Sequence, residues 1–158
     1  MAGYGDDTGF TDWLTANGYS LPDGAPSAAV LRQRGSTYVD GTYGSRFAGQ
    51  PAGGVIQERE WPRTGAADRY GMDIPDSTVP QRVIEASYHA AYAEAVTPGS
   101  LSTTYTPGTA KVLTEVKGIK WEVVGDATKA GSMIPVISAV EGKLAPLLVQ
   151  PVPGIIVV

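Results

Sequence analysis

Glycine and proline collect at Gly3 to Gly9, Gly49 to Gly54, Pro98 to Gly108 and Pro146 to Gly154, and these clusters set an upper limit on every regular element. Glycine raises the entropy cost of ordering backbone and proline removes a hydrogen-bond donor, so neither helix nor central strand passes through such stretches intact. The remaining segments are short and are joined by long irregular ones. Such a chain often gains order from neighbours instead of from its own core. At 158 residues it is expected to form one domain that buries roughly 70% of its unfolded surface without cross-links.

Between the clusters, the apolar spacing assigns the elements. Phe10, Trp13 and Leu14 stand at i, i+3, i+4 before Asn17-Gly18, which predicts a short helix with a glycine stop. A second helix is expected from Pro26 to about Tyr38, with Ser27 as its cap and Ala29, Val30 and Leu31 as apolar positions; Gly35 weakens it by ~1 kcal/mol relative to alanine. The stretch Tyr38 to Gly49 is too rich in glycine for a regular element and too aromatic for a plain loop. It leads to Trp61-Pro62-Arg63-Thr64-Gly65, where Pro62 favours an extended Trp61 and Gly65 permits a turn, with the rings expected to pack onto the helices.

Val79 to Val96 carries the clearest pattern. Pro80 suits a first turn, Ile84, Tyr88, Ala91 and Ala95 recur on one face, and Thr97-Pro98-Gly99 ends it. Ala86, Ala90 and Ala93 leave room for close helix neighbours, so this helix is expected at the centre. From Lys111 the pattern alternates through Val112, Thr114 and Val116, then resumes at Ile119 to Gly125, which predicts two strands. A last helix is expected within Ile134 to Val149, limited or kinked by Pro146. The fold class predicted is mainly α: a small helical bundle with long irregular loops, a β-hairpin-like insert at about 111–125, and an extended C-terminal arm at 150–158 following a domain of residues 1–149.

The inventory argues against chemistry. There is no cysteine, so disulfides, thiolate metal sites and a cysteine nucleophile are ruled out. His89 is the sole histidine and sits mid-helix, where a packed or surface role is the ordinary one. A zinc site would have to be built mostly from carboxylates. Asp6-Asp7 and Glu58 with Glu60 fit solvated faces better than acid–base pairs, and glycines 3, 5 and 9 match neither phosphate-binding spacing. No catalytic residue, cofactor or metal is therefore expected, and the chain is predicted not to be an enzyme. It lacks the basic start and apolar run of a signal peptide and any stretch approaching the ~20 residues that span a bilayer, so a soluble protein with no membrane partner is expected.

Nucleic-acid binding stays open at this level. The net charge is -4, the wrong sign for neutralising phosphates. Yet Tyr38, Tyr43, Arg46, Phe47, Arg59, Trp61, Arg63, Arg69 and Tyr70 interleave rings with cations as a stacking groove would. The other reading makes the rings core and gives the arginines structural hydrogen bonds or subunit contacts.

Taken together, Tyr38-Val39-Asp40-Gly41-Thr42-Tyr43, Arg46-Phe47-Ala48-Gly49, Gln57, Trp61-Pro62-Arg63-Thr64-Gly65 and Ile74-Pro75 before an alanine-rich helix resemble a family of phage proteins. These are often labelled DnaT-like single-stranded-DNA-binding proteins, and they are similar to the head-tail connectors of long-tailed phages. The resemblance spans about Trp13 to Val149 and is strongest from Tyr38 to Val96. It implies a ring, usually twelve-fold, beneath the portal protein, joined below to a stopper or tail-completion protein. DNA would pass through its channel without specific binding. It also implies a place in the virion neck, after assembly in the host cytoplasm. The alternative it carries is a single-stranded-DNA-binding replication protein, with Trp61, Tyr43 and Phe47 stacking bases and Arg46 and Arg63 holding phosphates. The insert near 111–131 and the arm after Val149 depart from the connector pattern.

A ring subunit needs two different complementary surfaces. The expected oligomer or partner contacts are Tyr43, Arg46, Phe47, Trp61 and Arg63, together with Ile155, Ile156, Val157 and Val158. In the arm, two prolines prevent helix and the four terminal β-branched residues suit addition to another protein's sheet edge, on the portal or an adjacent subunit.

Overall fold

The computed structural model describes residues 2–102 and 136–149. Four helices, α1 (Asp7–Ala16), α2 (Ala28–Tyr43), α3 (Gln81–Val96) and α4 (Ser138–Leu144), form a small bundle, and a two-stranded antiparallel sheet, β1 (Gln50–Pro51) with β2 (Arg63–Thr64), ties off the long loop between α2 and α3. The protein is thus mainly α, as the spacing predicted. The expected insert at 111–125 and arm at 150–158 lie outside the described residues. The sheet that is described falls where no strand was assigned.

Helix α3 touches α1, α2 and α4 and occupies the centre. Val83, Ala86, Ser87, Tyr88, Ala90, Ala91, Glu94 and Ala95 are all buried, covering more of its circumference than the single face that the spacing marked. Pro80 precedes its first turn, where a missing N–H costs nothing. Ala86 and Ala90 are buried as expected and Ala93 is not, while the close approach to α2 is made at Ser87 and Ala91. A Cβ placed on Gly35 of α2 would stand 2.2 Å from the Ser87 carbonyl oxygen and 2.7 Å from the Ala91 nitrogen, so the two backbones approach through glycine, serine and alanine. Gly35 is therefore not a weak point in a helix but the condition for its docking.

Helix α2 runs to Tyr43, five residues beyond the predicted end. Gly41 and Gly44 argued against helix on local propensity. Burial of Tyr38, Val39 and Tyr43 overrides that propensity by placing three large side chains in the core. Val30, read as an apolar position, is exposed while Leu31 is fully buried. At the other end of the chain the expected last helix is shortened. Regular helix spans Ser138–Leu144 and a 3-10 turn follows at Ala145–Leu147, where Pro146 cannot continue the α pattern.

Two apolar clusters result. One joins α2, α3 and α4 through Val39, Val83, Ala86, Ala90, Val140 and Leu144 and extends over Tyr4, Phe47, Trp61 and Leu147. The other seats α1 with Phe10, Leu14, Leu31, Tyr88 and Ala91. Asp6 caps α1 by accepting from the Gly9 N–H at 2.7 Å. The segment before it is strapped down by Arg32, whose guanidinium donates to the carbonyls of Gly3, Tyr4 and Gly5 and pairs with Asp7.

Candidate functional site

The segment that carries the strongest sequence signal, from Tyr43 to Ala66, closes on itself around Arg63. Its Nε donates to the Ala48 carbonyl at 2.9 Å and its two terminal nitrogens to the carbonyls of Glu60 at 3.2 Å and Gly49 at 2.7 Å. It also pairs with the Glu60 carboxylate. One planar fork thereby fixes both sides of the loop, a geometry that only a guanidinium supplies. Gly49 is required beside it: its φ is +70°, and a Cβ there would meet the Thr64 carbonyl oxygen at 2.2 Å. Gln57 acts as a second staple. Its amide nitrogen donates to the carbonyls of Arg59 at 2.6 Å and Pro62 at 2.9 Å, while its amide oxygen accepts from the Gly53 N–H at 2.8 Å. The Trp61–Pro62 peptide is cis.

A third anchor arrives from the N-terminal strap. The Tyr4 hydroxyl accepts from the Trp61 N–H at 3.1 Å and donates to Asp40, and Asp40 pairs with Arg59 at 3.1 Å. Burial pushes the Tyr4 phenol up from its ordinary range, and the Asp40 charge adds to this. Burial raises Asp40 as well, offset by its hydrogen bonds from Tyr4 and Arg59. Beyond the loop, Phe47 forms an isolated bridge with Leu148, and the Val149 N–H donates to the Arg46 carbonyl at 2.8 Å, which binds the loop to the end of the α4 region.

This geometry locates the expected contact residues. Tyr43, Phe47, Trp61 and Arg63 are together, as their motif suggested, but they face inward: Tyr43 is fully buried and the other three are at most 4% exposed. Phe47 and Trp61 meet edge to face at 5.5 Å, and Arg63 lies over Phe47. Their surface is occupied by the chain itself, so direct contact with a partner or a base would require the loop to open. Arg46 alone of this set reaches solvent; it pairs with Glu141 at 3.0 Å and lies over the Tyr43 ring. The Arg46 guanidinium holds the Glu141 carboxyl below its usual range. Ile155, Ile156, Val157 and Val158 lie outside the described residues.

Residue type gave no warning of what is exposed instead. Val55 and Ile56 stand on the 3-10 turn Gly54–Ile56 at 102% and 86% exposure, and Tyr70 and Met72 project from the next loop. Among the described residues no group of three acidic or histidine side chains is placed to hold a metal ion, and no helix is long and apolar enough to cross a membrane. His89 packs edge-on against Trp13 at 4.7 Å. Burial lowers its pKa, and nearby Lys143 lowers it further.

Residues 4–156 match the model of the family described as "Putative DnaT-like ssDNA binding protein". The chain belongs to that family. No curated protein and no solved structure matches it.

Proposed function

We propose that this protein is a structural head-to-tail adaptor of a tailed bacteriophage, one subunit of a ring, twelve-fold in the usual connector pattern, beneath the portal. It joins the portal to a stopper or tail-completion protein, leaves a channel for DNA, and performs no catalysis. The observation that carries this reading is the fate of the aromatic–arginine segment. Tyr38, Tyr43, Phe47 and Trp61 form core and Arg46, Arg59 and Arg63 pair with carboxylates, while Arg69 lies over Tyr70 at the exposed end of the segment. Among the described residues Arg32, Arg34, Arg46, Arg59, Arg63 and Lys143 each pair with a carboxylate. A protein that neutralises phosphates needs free cations on its surface; a channel through which DNA slides is better served without them.

The second reading, a single-stranded-DNA-binding protein, is favoured by the description of its family. The two separate on one experiment: the purified chain is mixed with its portal ring and, in parallel, with labelled single-stranded DNA, and co-migration is followed by size. Stoichiometric capture by the portal with no DNA shift supports the adaptor. DNA capture that falls steeply between low and moderate salt, with no portal binding, overturns it in favour of the second reading.

A further inference from the structure

The exposed turn at Gly54–Ile56 and a groove along α2 are different surfaces with matching chemistry. The turn presents two branched aliphatic side chains in full solvent, and it is held in shape from behind, since Gln57 ties Gly53 on one side to Arg59 and Pro62 on the other. A preformed knob loses little freedom on docking. The groove has a volume of about 750 Å³ and is lined by Val30, Arg34, Thr37, Tyr38, Gly41 and Leu101 among others. Gly41 lines it and is exposed, and an added Cβ there would meet nothing within 4 Å.

Charge links the two surfaces. Glu58, two residues beyond the knob, is exposed and has no ion pair among the described residues. Arg34 lines the groove with its side chain 49% exposed. Among the described residues its guanidinium donates to Glu94 through Nη1 at 3.2 Å, which leaves Nε and Nη2 without a partner there.

We propose that the Val55–Ile56 turn of one copy of this chain seats in the α2 groove of a second copy, with Glu58 facing Arg34. A contact between two unlike patches is head-to-tail and repeats from copy to copy, which is what a ring requires. The proposal rests on the ring reading given above and names its subunit contact.

The chain has no cysteine, so introduced pairs report without background. In the full chain, Gly41→Cys with Ile56→Cys is oxidised both free and bound to the portal ring. A ladder of disulfide-linked multimers is expected. Mixing the two single variants should give one heterodimer band at least tenfold stronger than the dimer band of either variant alone. Gly41→Trp, whose Cβ meets nothing within 4 Å and whose ring adds bulk to the groove lining, should abolish cross-linking of Ile56→Cys to a cysteine introduced at Thr37. Circular dichroism of every variant should match the parent, since Thr37, Gly41 and Ile56 are exposed. If the double variant links no better than the single ones in either sample while keeping its helicity, the contact is wrong. Portal capture without the ladder overturns the contact and leaves the adaptor standing; the ladder without portal capture supports the contact and removes the adaptor role.

Discussion

The α2–α3 contact and the Phe47, Trp61, Arg63 and Ala66 side of the following loop are both buried, and they reach burial by opposite means. Between the helices the chain removes atoms: Gly35, Ser87 and Ala91 let backbone meet backbone. In the loop it adds side-chain partners: Arg63 and Gln57 donate to carbonyls, and Tyr4 and Gln57 accept from the N–H groups of Trp61 and Gly53, which no regular secondary structure would satisfy. Close packing of regular elements tolerates no extra volume. In an irregular buried segment each backbone N–H or carbonyl left without a partner costs its desolvation. The two regions should therefore fail differently when altered.

The largest effect is expected from Gly35→Leu. The new side chain meets Ser87 and Ala91 backbone, which cannot yield as a flexible side chain does, so thermal unfolding should show a loss of ~3 kcal/mol or more. A change below ~1 kcal/mol would mean that the helices part easily and that the contrast is false.

Next comes Arg63→Lys, which keeps the charge but cannot reach the carbonyls of Ala48, Gly49 and Glu60 together. It should destabilise by about 2 kcal/mol, nearly as much as Arg63→Ala. Limited tryptic cleavage at Arg59 should accelerate in both variants. If lysine restores parental resistance, the clamp is a charge and not a fork.

A smaller loss, ~1–2 kcal/mol, is expected for Tyr4→Phe, which leaves the Trp61 N–H without its acceptor. The same cleavage assay should register it while α3 helicity stays unchanged. Loss of helicity in step with cleavage would show that the loop and bundle unfold as one unit.

The smallest effect lies outside both regions and serves as a control. His89 has a folded pKa below its ordinary value, so the unfolded chain binds the proton more readily and stability is lost as pH falls below ~6.5. Glu85, held below its usual range by the Lys143 ammonium against the opposing effect of burial, adds a loss at lower pH. Asp40, raised by burial, acts in the opposite sense, its contribution shrinking as pH rises through its folded pKa. In His89→Gln the stability slope just below pH 6.5 should flatten; an unchanged slope would assign it elsewhere.

Much of this protein was determined by its sequence alone. The i, i+3, i+4 spacing marked α1 and α3, the alanines marked α3 as central, and the absence of cysteine removed disulfide and thiolate chemistry. These features are local, and local rules read them. The last turn of α2 was not legible, because Gly41 and Gly44 oppose helix and only the burial of Tyr38, Val39 and Tyr43 reverses the balance. Nor was the sense of the Trp61 and Arg63 motif legible: a tryptophan beside an arginine has the same composition whether it stacks a base or fills a core. The tertiary structure buries both residues by closing the loop over the α2–α3–α4 cluster. That closure depends on contacts such as Tyr4 with Trp61 and Phe47 with Leu148, residues far apart in the chain whose energies no local pattern contains.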